Sequence, residues 1–449
     1  MAKPTPLSGF PEFLPAERFV EQQVVATLAR TFELHGFANL ETRAVEPMDQ
    51  LLAKGETSKE VYVLKRLQDT GDGDAGMGLH FDLTVPFARF VLENAGKLEF
   101  PFRRYQIQKV WRGERPQAGR FREFTQADID VVGRGELGFH HDVEVARVMA
   151  EALASLEFLP GFTLQVNNRK LIQGFYQGLG ATDPAKVMQI VDKLDKLPGE
   201  KITALLQSDA GLSAEQAAQT LALATIKTAD ASFVDEVRAL GVADPLLDEG
   251  LAELRAVIEG CASVTNERVR VVADLSIARG LDYYTGTVFE TRLDGFESLG
   301  SICSGGRYDS LASDGRTTYP GVGISFGVSR TLVPLISGGV VTADRSVPSA
   351  VLVALTDEES RPEADVLAGR LRARGIPTEI APKADKFGKQ IKHADKRGIP
   401  FILFVTENGP EIKDIRSGEQ TPIDPDAWLP PREDLRPTIT TTAVQETSK

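Results

Sequence analysis

Residues 279–290 read Arg-Gly-Leu-Asp-Tyr-Tyr-Thr-Gly-Thr-Val-Phe-Glu, which places a cation and two phenol hydroxyls ahead of a strand-like run. Val288 and Phe289 have the β-branched and aromatic character of a buried strand. The polar groups ahead of them require partners if they are buried. Residues 304–309, Ser-Gly-Gly-Arg-Tyr-Asp, repeat the pattern with two glycines that let a backbone approach a ligand. An ordinary strand with a capped turn is the alternative, but the pattern favours a site for a polar ligand.

A second group of polar and aromatic residues flanks a turn at residues 113–119. Strand-like runs at 103–111 and 121–132 surround this turn and predict a long antiparallel hairpin. Alternation places Arg112 and Glu114 on one face. One face of the second strand carries Phe124, Gln126, Asp128 and Asp130. Such residues can bind an adenine nucleotide, with a ring for the base, a carboxylate for its amine and an arginine for phosphate. A surface hairpin with ion pairs is the alternative.

The common phosphate-binding loops are not found in the sequence. Residues 69–76 have the spacing GxGxxG, but their three aspartates would repel phosphate and no apolar helix begins at their end. We predict a hairpin tip at this segment. A nucleotide would therefore bind on an antiparallel sheet through side chains.

Cysteine and histidine usage predicts no metal site and no disulfide. Cys261 and Cys303 form no CxxC pattern, and we expect both to be reduced. The five histidines are scattered or adjacent rather than spaced as ligands.

Composition sets the class of protein. A chain of 449 residues exceeds what one core usually serves, so two or three domains are expected. The hydrophobic fraction of 42% and charged fraction of 26% are typical of a soluble globular protein without a membrane span. The N-terminus has no signal or transit peptide pattern, so we expect a cytoplasmic location. The net charge of −13 argues against non-specific nucleic-acid binding and leaves two local basic patches, at 101–126 and 383–397.

The elements that must position these residues follow from periodicity and turn signals. We predict helices at 16–36 and 141–156, and a string of helices at 183–260 that has the character of an insertion between strand-rich blocks. Strands are predicted at 37–45, 61–67 and through 269–330. After a linker at 337–348, alternating strands and helices at 350–405 predict a second domain with a small parallel or mixed sheet. The tail from 431 is polar and is predicted to be disordered.

Taken together, the motifs resemble those of class II aminoacyl-tRNA synthetases. The residues similar to the second class II motif are Arg112, Glu114, Arg120, Phe124 and Asp128. The glycine-rich strand that closes on Arg330 is similar to the third motif. Residues 279–284 and 305–309 are similar to the two histidine-specific signatures of the histidyl-tRNA synthetase family. The similarity extends over nearly the whole chain through residues 10–15, 82–86 and 386–395.

The resemblance implies an α+β fold, with a class II antiparallel sheet flanked by helices, a helical insertion and a C-terminal α/β domain of the anticodon-binding type. Its domains would be residues 1–335 for catalysis, including the insertion at 183–260, and residues 348–430 for the anticodon. The implied reaction joins L-histidine to ATP as histidyl-adenylate with loss of pyrophosphate, and then transfers histidine to the 3′ end of its tRNA. The expected partners are tRNA, histidine, ATP with Mg²⁺ and a second copy of the chain. No tightly bound cofactor and no membrane are expected.

Residue roles are implied in the same way. Arg112 and Arg279 would be catalytic, on opposite sides of the α-phosphate. The ATP-binding residues would be Arg112, Glu114, Phe124 and Arg330. The histidine-binding residues would be Asp82, Thr84, Arg112, Gln126, Asp130, Arg279, Tyr283, Tyr284, Gly305 and Tyr308; of these, Tyr283 could instead simply pack. The residues beside the tRNA acceptor end would be Arg115, Gln117 and Arg122.

Three positions depart from the family pattern. Ala44 stands where the first class II motif normally has proline, and that motif builds the dimer interface. Asp82 replaces a frequent glutamate and keeps its charge. Ser329 replaces a frequent acidic residue at a position expected to be peripheral.

Two other classes of protein compete with this interpretation. The histidyl-synthetase-like regulatory subunit of ATP phosphoribosyltransferase keeps the fold without transfer activity. Such subunits lack the C-terminal domain, however, which residues 348–430 supply here, and this chain retains Arg112, Glu114, Arg279 and Arg330 together. A general RNA-binding protein would use the basic patch at 383–397 but would not need those arginines.

Overall fold

The computed structural model describes residues 5–52, 60–68, 76–117, 119–194, 196–277, 284–310 and 312–442 of the 449-residue chain. The chain divides into two compact units. The first comprises residues 1–11 and 24–334, and the second comprises residues 12–23 and 335–449.

The first unit is built on an antiparallel-rich sheet. Its strands are β1 (Ala38–Asn39), β2 (Val45–Pro47), β3 (Val63–Leu64), β4 (Met77–Leu79), β5 (Phe102–Trp111), β6 (Glu123–Val132), β7 (Phe162–Asn168), β8 (Lys227–Thr228), β9 (Val269–Asp274), β10 (Thr287–Leu293), β11 (Cys303–Tyr308) and β12 (Gly321–Gly327). Among the described residues, nine strands form one sheet in the order β1-β5-β6-β12-β11-β10-β7-β9-β8, and β2, β4 and β3 form a small separate sheet. In the large sheet β1 pairs with β5, and β7 with β9, in parallel; the other pairs are antiparallel.

Helices flank this sheet and form the insertion. They are α1 (Pro15–Leu34), α2 (Met48–Leu52), α3 (Thr84–Asn94), α4 (His140–Ala154), α5 (Arg169–Gly178), α6 (Pro184–Val191), α7 (Gly199–Ser208), α8 (Ala214–Ala224), α9 (Phe233–Ala239), α10 (Pro245–Gly260) and α11 (Val328–Ser337). Helices α1 and α11 cross the boundary between the units. Short 3-10 helices lie at Ala262–Val264 and Glu297–Leu299.

Side-chain alternation explains why polar groups collect on one face of the large sheet. Helix α4 packs against β6 and β12, and α10 packs against β7 and β9. In β6 the apolar residues Ala127, Ile129 and Val131 are fully buried. Because successive strand residues point to opposite faces, Gln126 and the alternate residues that follow it face the other side of the sheet. The core is therefore on the helix side, and the opposite face is left for a site.

The insertion is confirmed as a group of helices with local capping. Asp183 and Asp244 accept hydrogen bonds from backbone N–H groups at the starts of α6 and α10. Ser213 and Gln216 form a reciprocal capping box at the start of α8. These caps satisfy donors that a helix cannot satisfy internally, and they account for several short helices in a row. The short strand β8 was not predicted; it adds to the edge of the large sheet.

The structure confirms several other sequence predictions. Helix α1 matches the helix predicted at 16–36 within two residues, and β5 and β6 form the predicted antiparallel hairpin. The strand predicted at 37–45 is wrong in extent, because only Ala38–Asn39 and Val45–Pro47 are strands and they belong to different sheets. The hairpin tip predicted at 69–76 lies mostly outside the described residues, although the flanking strands β3 and β4 pair antiparallel.

The second unit contains a mixed sheet, as the alternating pattern predicts. Its strands are β13 (Val341–Ala343), β14 (Val351–Val353), β15 (Thr378–Ile380), β16 (Phe401–Thr406), β17 (Gly409–Asp414), β18 (Gln420–Pro422) and β19 (Ile439–Thr441), and its further helices are α12 (Arg361–Ala373) and α13 (Phe387–Lys396). The sheet order is β15-β14-β16-β17-β18, with β14 parallel to β15 and β16. Leu352, Leu371 and Leu403 are fully buried in its core.

The prediction of a disordered tail from 431 is wrong for residues 431–442. Strand β19 pairs antiparallel with β13, inside the segment that has linker composition. Asp344 also accepts hydrogen bonds from the backbone and hydroxyl of Thr438. Two segments distant in sequence thus pair with each other, and Val341 of β13 is buried. Residues 443–449 lie outside the described residues.

Candidate active site

Two adjoining cavities lie on the polar face of the large sheet. The first, of about 190 Å³, is lined by Arg112, Glu114, Gly119, Arg120, Phe121, Phe124, Gln126, Ser301, Ile302, Cys303, Ser304, Ser325, Gly327 and Arg330. All four residues expected to bind ATP are among them. The Arg112 guanidinium lies 5.3 Å from the centre of the Phe124 ring, and Arg112 Nε donates to the Phe81 carbonyl at 3.0 Å. Arg330 Nε donates to the Leu299 carbonyl at 2.9 Å.

The second cavity, of about 90 Å³, is lined by Asp82, Thr84, Arg112, Gln126, Asp128, Asp130, Tyr284, Ser304, Gly305, Gly306, Tyr308, Gly323, Ile324 and Ser325. It brings together every described residue that was expected to bind histidine. Arg279 and Tyr283 lie outside the described residues. Arg112 and Gln126 line both cavities, so the two form one continuous site.

Asp130 is held by two internal partners. The Arg104 guanidinium lies 2.7 Å from Asp130 Oδ2, and the Tyr308 hydroxyl donates to Asp130 Oδ1 at 2.8 Å. Arg104 is fully buried, donates to Gln106 at 3.1 Å and lies 4.2 Å from the centre of the Phe87 ring. A buried carboxylate is tolerated only when it is paired in this way. Arg104 is a residue that sequence reasoning missed, since it stood only as one cation of the basic patch.

Glycines on β12 make room for these side chains. A Cβ atom at Gly323 would lie 2.2 Å from Asp130 Oδ1, and one at Gly321 would lie 2.5 Å from the Tyr308 ring. Both distances are below any real Cβ contact, so each position excludes a larger residue. The glycine-rich run at 321–327 was the signal for this feature, but its role depends on the pairing of β12 with β6 and β11.

Asp128 also lines the second cavity, and the sequence analysis gave it no individual role. It is 3% exposed, and burial raises the pKa of its carboxyl to about 7; the Arg104 charge lowers it and the Asp130 charge raises it. Hydrogen bonding with the Ser325 side chain also lowers this pKa. Asp128 lies opposite Ser325 in the pairing of β6 with β12. Two acidic side chains of β6, at 128 and 130, therefore line the second cavity.

A further acidic residue, Glu60, interacts with the charges of Arg112, Glu114 and Asp82. Burial raises the pKa of Glu60, the Arg112 charge lowers it, and the Glu114 charge raises it. The Glu60 carbonyl accepts from the Gly113 backbone at 2.7 Å. Asp82 Oδ1 accepts from the Val85 backbone at 3.0 Å and so caps the start of α3. Sequence reasoning gave Glu60 no role.

The residues expected beside tRNA lie in and next to the hairpin turn, close in sequence to Glu114 and Gly119, which line the first cavity. Arg115 and Gln117 are exposed, and Gln117 forms a bridge with Arg120. Arg122 Nε donates to the Glu114 carbonyl at 3.2 Å. Ser329, expected to be peripheral, is 3% exposed, and its hydroxyl accepts from the Thr125 backbone at 2.8 Å. This hydrogen bond connects the start of α11 to β6 and thereby positions Arg330.

The described residues contain no group of three or more His, Cys, Asp or Glu side chains that could hold a metal ion. Of the helices that the structure describes, none is both long enough and apolar enough to cross a lipid bilayer.

Comparison with protein families defines the class of protein to which this chain belongs. The model for histidyl-tRNA synthetase matches residues 9–331, and the model for an anticodon binding domain matches residues 349–428. With the antiparallel sheet and the two cavities, these matches make the chain a class II aminoacyl-tRNA synthetase, an enzyme.

Individual relatives narrow the assignment. A histidine–tRNA ligase of Cutibacterium acnes is 59% identical, covering 98% of this chain and 99% of that protein. The crystal structure of histidyl-tRNA synthetase from Nostoc sp. PCC 7120 has a TM-score of 0.84 at 34% identity, covering 95% of this chain and 98% of that one. The chain belongs to the histidyl-tRNA synthetase family, and its activity is that of a histidine–tRNA ligase.

A third comparison concerns the regulatory-subunit alternative. A structure from Bacillus halodurans C, described as an ATP phosphoribosyltransferase regulatory subunit/histidyl-tRNA synthetase, has a TM-score of 0.72 at 20% identity. It covers 87% of this chain and 97% of that one. At this identity the likeness shows the fold alone.

Proposed function

We propose that the two cavities hold the two substrates of histidine activation, with ATP in the first and histidine in the second. The observation that carries this proposal is that Arg112 lines both cavities. A reaction between two bound molecules requires their reacting atoms to be held together. A fixed cation at the junction can bind the histidine carboxylate and the α-phosphate at once.

Within the first cavity, different residues bind different parts of ATP. Phe124 and Arg330 hold the two faces of adenine, and Arg330 also reaches the γ-phosphate. Glu114 accepts from the adenine amine. Mg²⁺ arrives with the phosphates of ATP as part of the substrate, because it prefers hard oxygen ligands and keeps water in its shell.

Within the second cavity, Asp82, Thr84 and Gln126 bind the α-amino group. The imidazole lies toward Asp130, Tyr284 and Tyr308, above Gly305. An imidazole offers one donor and one acceptor nitrogen, so a carboxylate and a phenol satisfy it. A competitor without these nitrogens would leave buried polar groups unpaired, and such sites reach discrimination of about 10⁴ without editing.

Activation proceeds by in-line attack. A carboxylate oxygen of histidine forms a bond to the α-phosphorus, and the bond to the departing pyrophosphate breaks. Negative charge grows on the non-bridging oxygens, where Arg112 and, on the opposite side, Arg279 stabilise it without a protein base. Removal of one such donor costs about 3 kcal/mol in the barrier. A ribose hydroxyl at the tRNA 3′ end then attacks the acyl carbon and AMP leaves.

The remaining assignments concern tRNA and the cell. Residues 1–335 carry out activation and transfer, and residues 348–430 bind the anticodon. Arg115, Gln117 and Arg122 contact the acceptor end from the hairpin turn. We also propose that the enzyme works in the cytoplasm as a homodimer, without a membrane partner or a tightly bound cofactor.

Histidine-dependent exchange of labelled pyrophosphate into ATP tests the activation step. The wild-type protein is expected to catalyse exchange, and Arg112→Ala and Arg279→Ala are each expected to reduce the rate more than a hundredfold. Arg255→Ala is the matched control, because Arg255 is an exposed arginine in the insertion that pairs with Glu259. Absence of exchange in the wild type would contradict the proposal and favour a non-catalytic relative.

A further inference from the structure

Two buried side-chain oxygen atoms on β6 lack a hydrogen-bond donor among the described residues. Within the part of the chain that the structure describes, neither Asp128 Oδ1 nor Gln126 Oε1 has a hydrogen-bond partner. Asp128 is 3% exposed and Gln126 is 8% exposed, and both line the second cavity. Burying a polar oxygen without a partner is costly, and most such atoms in folded proteins are satisfied. A ligand in this cavity is the natural source of the missing donors.

None of the neighbouring donors reaches Asp128 Oδ1: Arg104 Nε has no hydrogen-bond partner among the described residues, and the other donors bond to other acceptors. Arg104 Nη2 lies 2.7 Å from Asp130, and Arg104 Nη1 donates to Gln106 at 3.1 Å. The Tyr308 hydroxyl donates to Asp130 at 2.8 Å. Gln126 Nε2 donates to the Ser325 hydroxyl at 2.7 Å. Since no donor of the described residues bonds to Asp128 Oδ1, a donor of the bound molecule can take this place.

The order of residues along the strand indicates which part of histidine supplies it. Gln126, Asp128 and Asp130 follow each other on one face, and residues two apart in a strand are separated by about 6.6 Å. Of these three residues, Asp130 is the one that contacts Tyr308, and the imidazole is proposed to lie beside both. Asp82 also lines the cavity, and its charge raises the pKa of Asp128, so the two carboxyl groups are near each other.

A primary ammonium group has the required geometry. It carries three donors on one nitrogen and a positive charge, so it can bond to several acceptors at once. An imidazole nitrogen carries one donor at most. Two adjacent unpaired acceptors with a further carboxylate nearby therefore fit the α-ammonium better than the ring.

We infer that Asp128 is a specificity-determining residue that accepts a hydrogen bond from the α-ammonium group of bound histidine, beside Gln126 Oε1. This inference rests on the proposed function and adds a carboxylate to the amino-group site formed by Asp82, Thr84 and Gln126. Asp130 is left to the imidazole. The cavity thus uses one acidic residue of β6 for each end of the substrate.

A pair of ligands that differ only at the amino group tests this assignment. L-Histidinol and 3-(imidazol-4-yl)propan-1-ol share the imidazole and the alcohol, but only histidinol has an ammonium. Calorimetry on the full chain gives the ratio of the two dissociation constants. In Asp128→Ala this ratio is expected to fall about ten- to a hundredfold from the wild-type value, as for loss of a hydrogen bond to a charged group.

Two further variants keep the result interpretable. Asp128→Asn retains the size and an acceptor oxygen but loses the charge, so its ratio should lie between those of the wild type and Asp128→Ala. Tyr284→Phe, at a residue proposed to face the imidazole, should weaken both ligands together and leave the ratio unchanged. An unchanged ratio in both Asp128 variants would overturn this inference alone. Failure of the wild-type protein to bind histidinol would overturn both this inference and the proposed function.

Discussion

Replacing Asp128 with asparagine should stabilise the protein, and by more at pH 8.0 than at pH 5.5. Burial raises the pKa of the Asp128 carboxyl to about 7, so the native state prefers its neutral form. Above pH 3.8 the unfolded chain has lost this proton while the native state still holds it, so stability falls as pH rises toward 7. Asparagine resembles the neutral carboxyl in shape and removes this penalty.

The magnitude follows from the two pKa values. The gap between the ordinary 3.8 and about 7, at about 1.4 kcal/mol per pKa unit, gives about 4 kcal/mol at pH 8.0. At pH 5.5 only the part of the gap below that pH counts, which gives about 2 kcal/mol. The advantage of Asp128→Asn should therefore grow by about 2 kcal/mol between these pH values. The same variant should bind histidine more weakly, so stability and function would change in opposite directions.

Urea unfolding with a single tryptophan measures this effect in the first unit. Trp111 and Trp428 are the two tryptophans of the chain, so Trp428→Phe leaves Trp111, at the end of β5, as the only reporter. Both compared proteins carry this background change. Unfolding midpoints and slopes at the two pH values give the free energies.

Asp314→Asn serves as the control. Asp314 is an exposed turn residue whose pKa is lowered by hydrogen bonds from the Thr317 and Arg316 backbone. Because its pKa is lowered, its stabilising effect is complete above pH 3.8 and is lost only below that pH. Its variant should therefore differ from the parent by the same amount at pH 5.5 and 8.0. If Asp128→Asn behaves in the same pH-independent way, the argument from burial is refuted.

Three further predictions concern the site and the second unit. Arg104→Gln removes the 2.7 Å partner of Asp130 and should destabilise the protein by about 3–5 kcal/mol in the same urea assay; a loss below about 1 kcal/mol would contradict a buried charge pair. Gly323→Ala places a Cβ atom 2.2 Å from Asp130 Oδ1, so the KM for histidine should rise at least tenfold in pyrophosphate exchange while the KM for ATP stays constant; a parallel rise in both would point to general misfolding. Lys389→Ala changes an exposed lysine of α13. It should leave pyrophosphate exchange unchanged but weaken tRNA charging. Normal charging at limiting tRNA would refute a contact between this helix and RNA.

The fold was predictable where the signal was local. The helical spacing at 16–36 and the two runs around a glycine-proline turn specify α1 and the β5–β6 hairpin without reference to distant residues. The pairing of β13 with β19 was not predictable, because the two strands are about a hundred residues apart and each is only three residues long. Composition alone then indicated a linker and a disordered tail.

The site was predictable as a set of residues rather than as a geometry. Arg112, Glu114 and Phe124 were named from their motif, and the structure gathers them around one cavity. Arg104 was not distinguished from the other cations of its patch. Its burial against Asp130 depends on the register of β5 with β6, and a slip of one residue would turn it to the other face.

The sequence by itself determined the chemistry available to this protein: which arginines, carboxylates and phenols are present, on which strands, and in which family pattern. Tertiary structure decided which of those groups pair with each other and which are left to bind a ligand. Pairing of β6 with β5 and β12 buries Arg104 with Asp130 and leaves Asp128 Oδ1 without a partner among the described residues. The physical reason is that charge and hydrogen-bonding capacity belong to residue types, whereas desolvation and pairing depend on which distant strands come together.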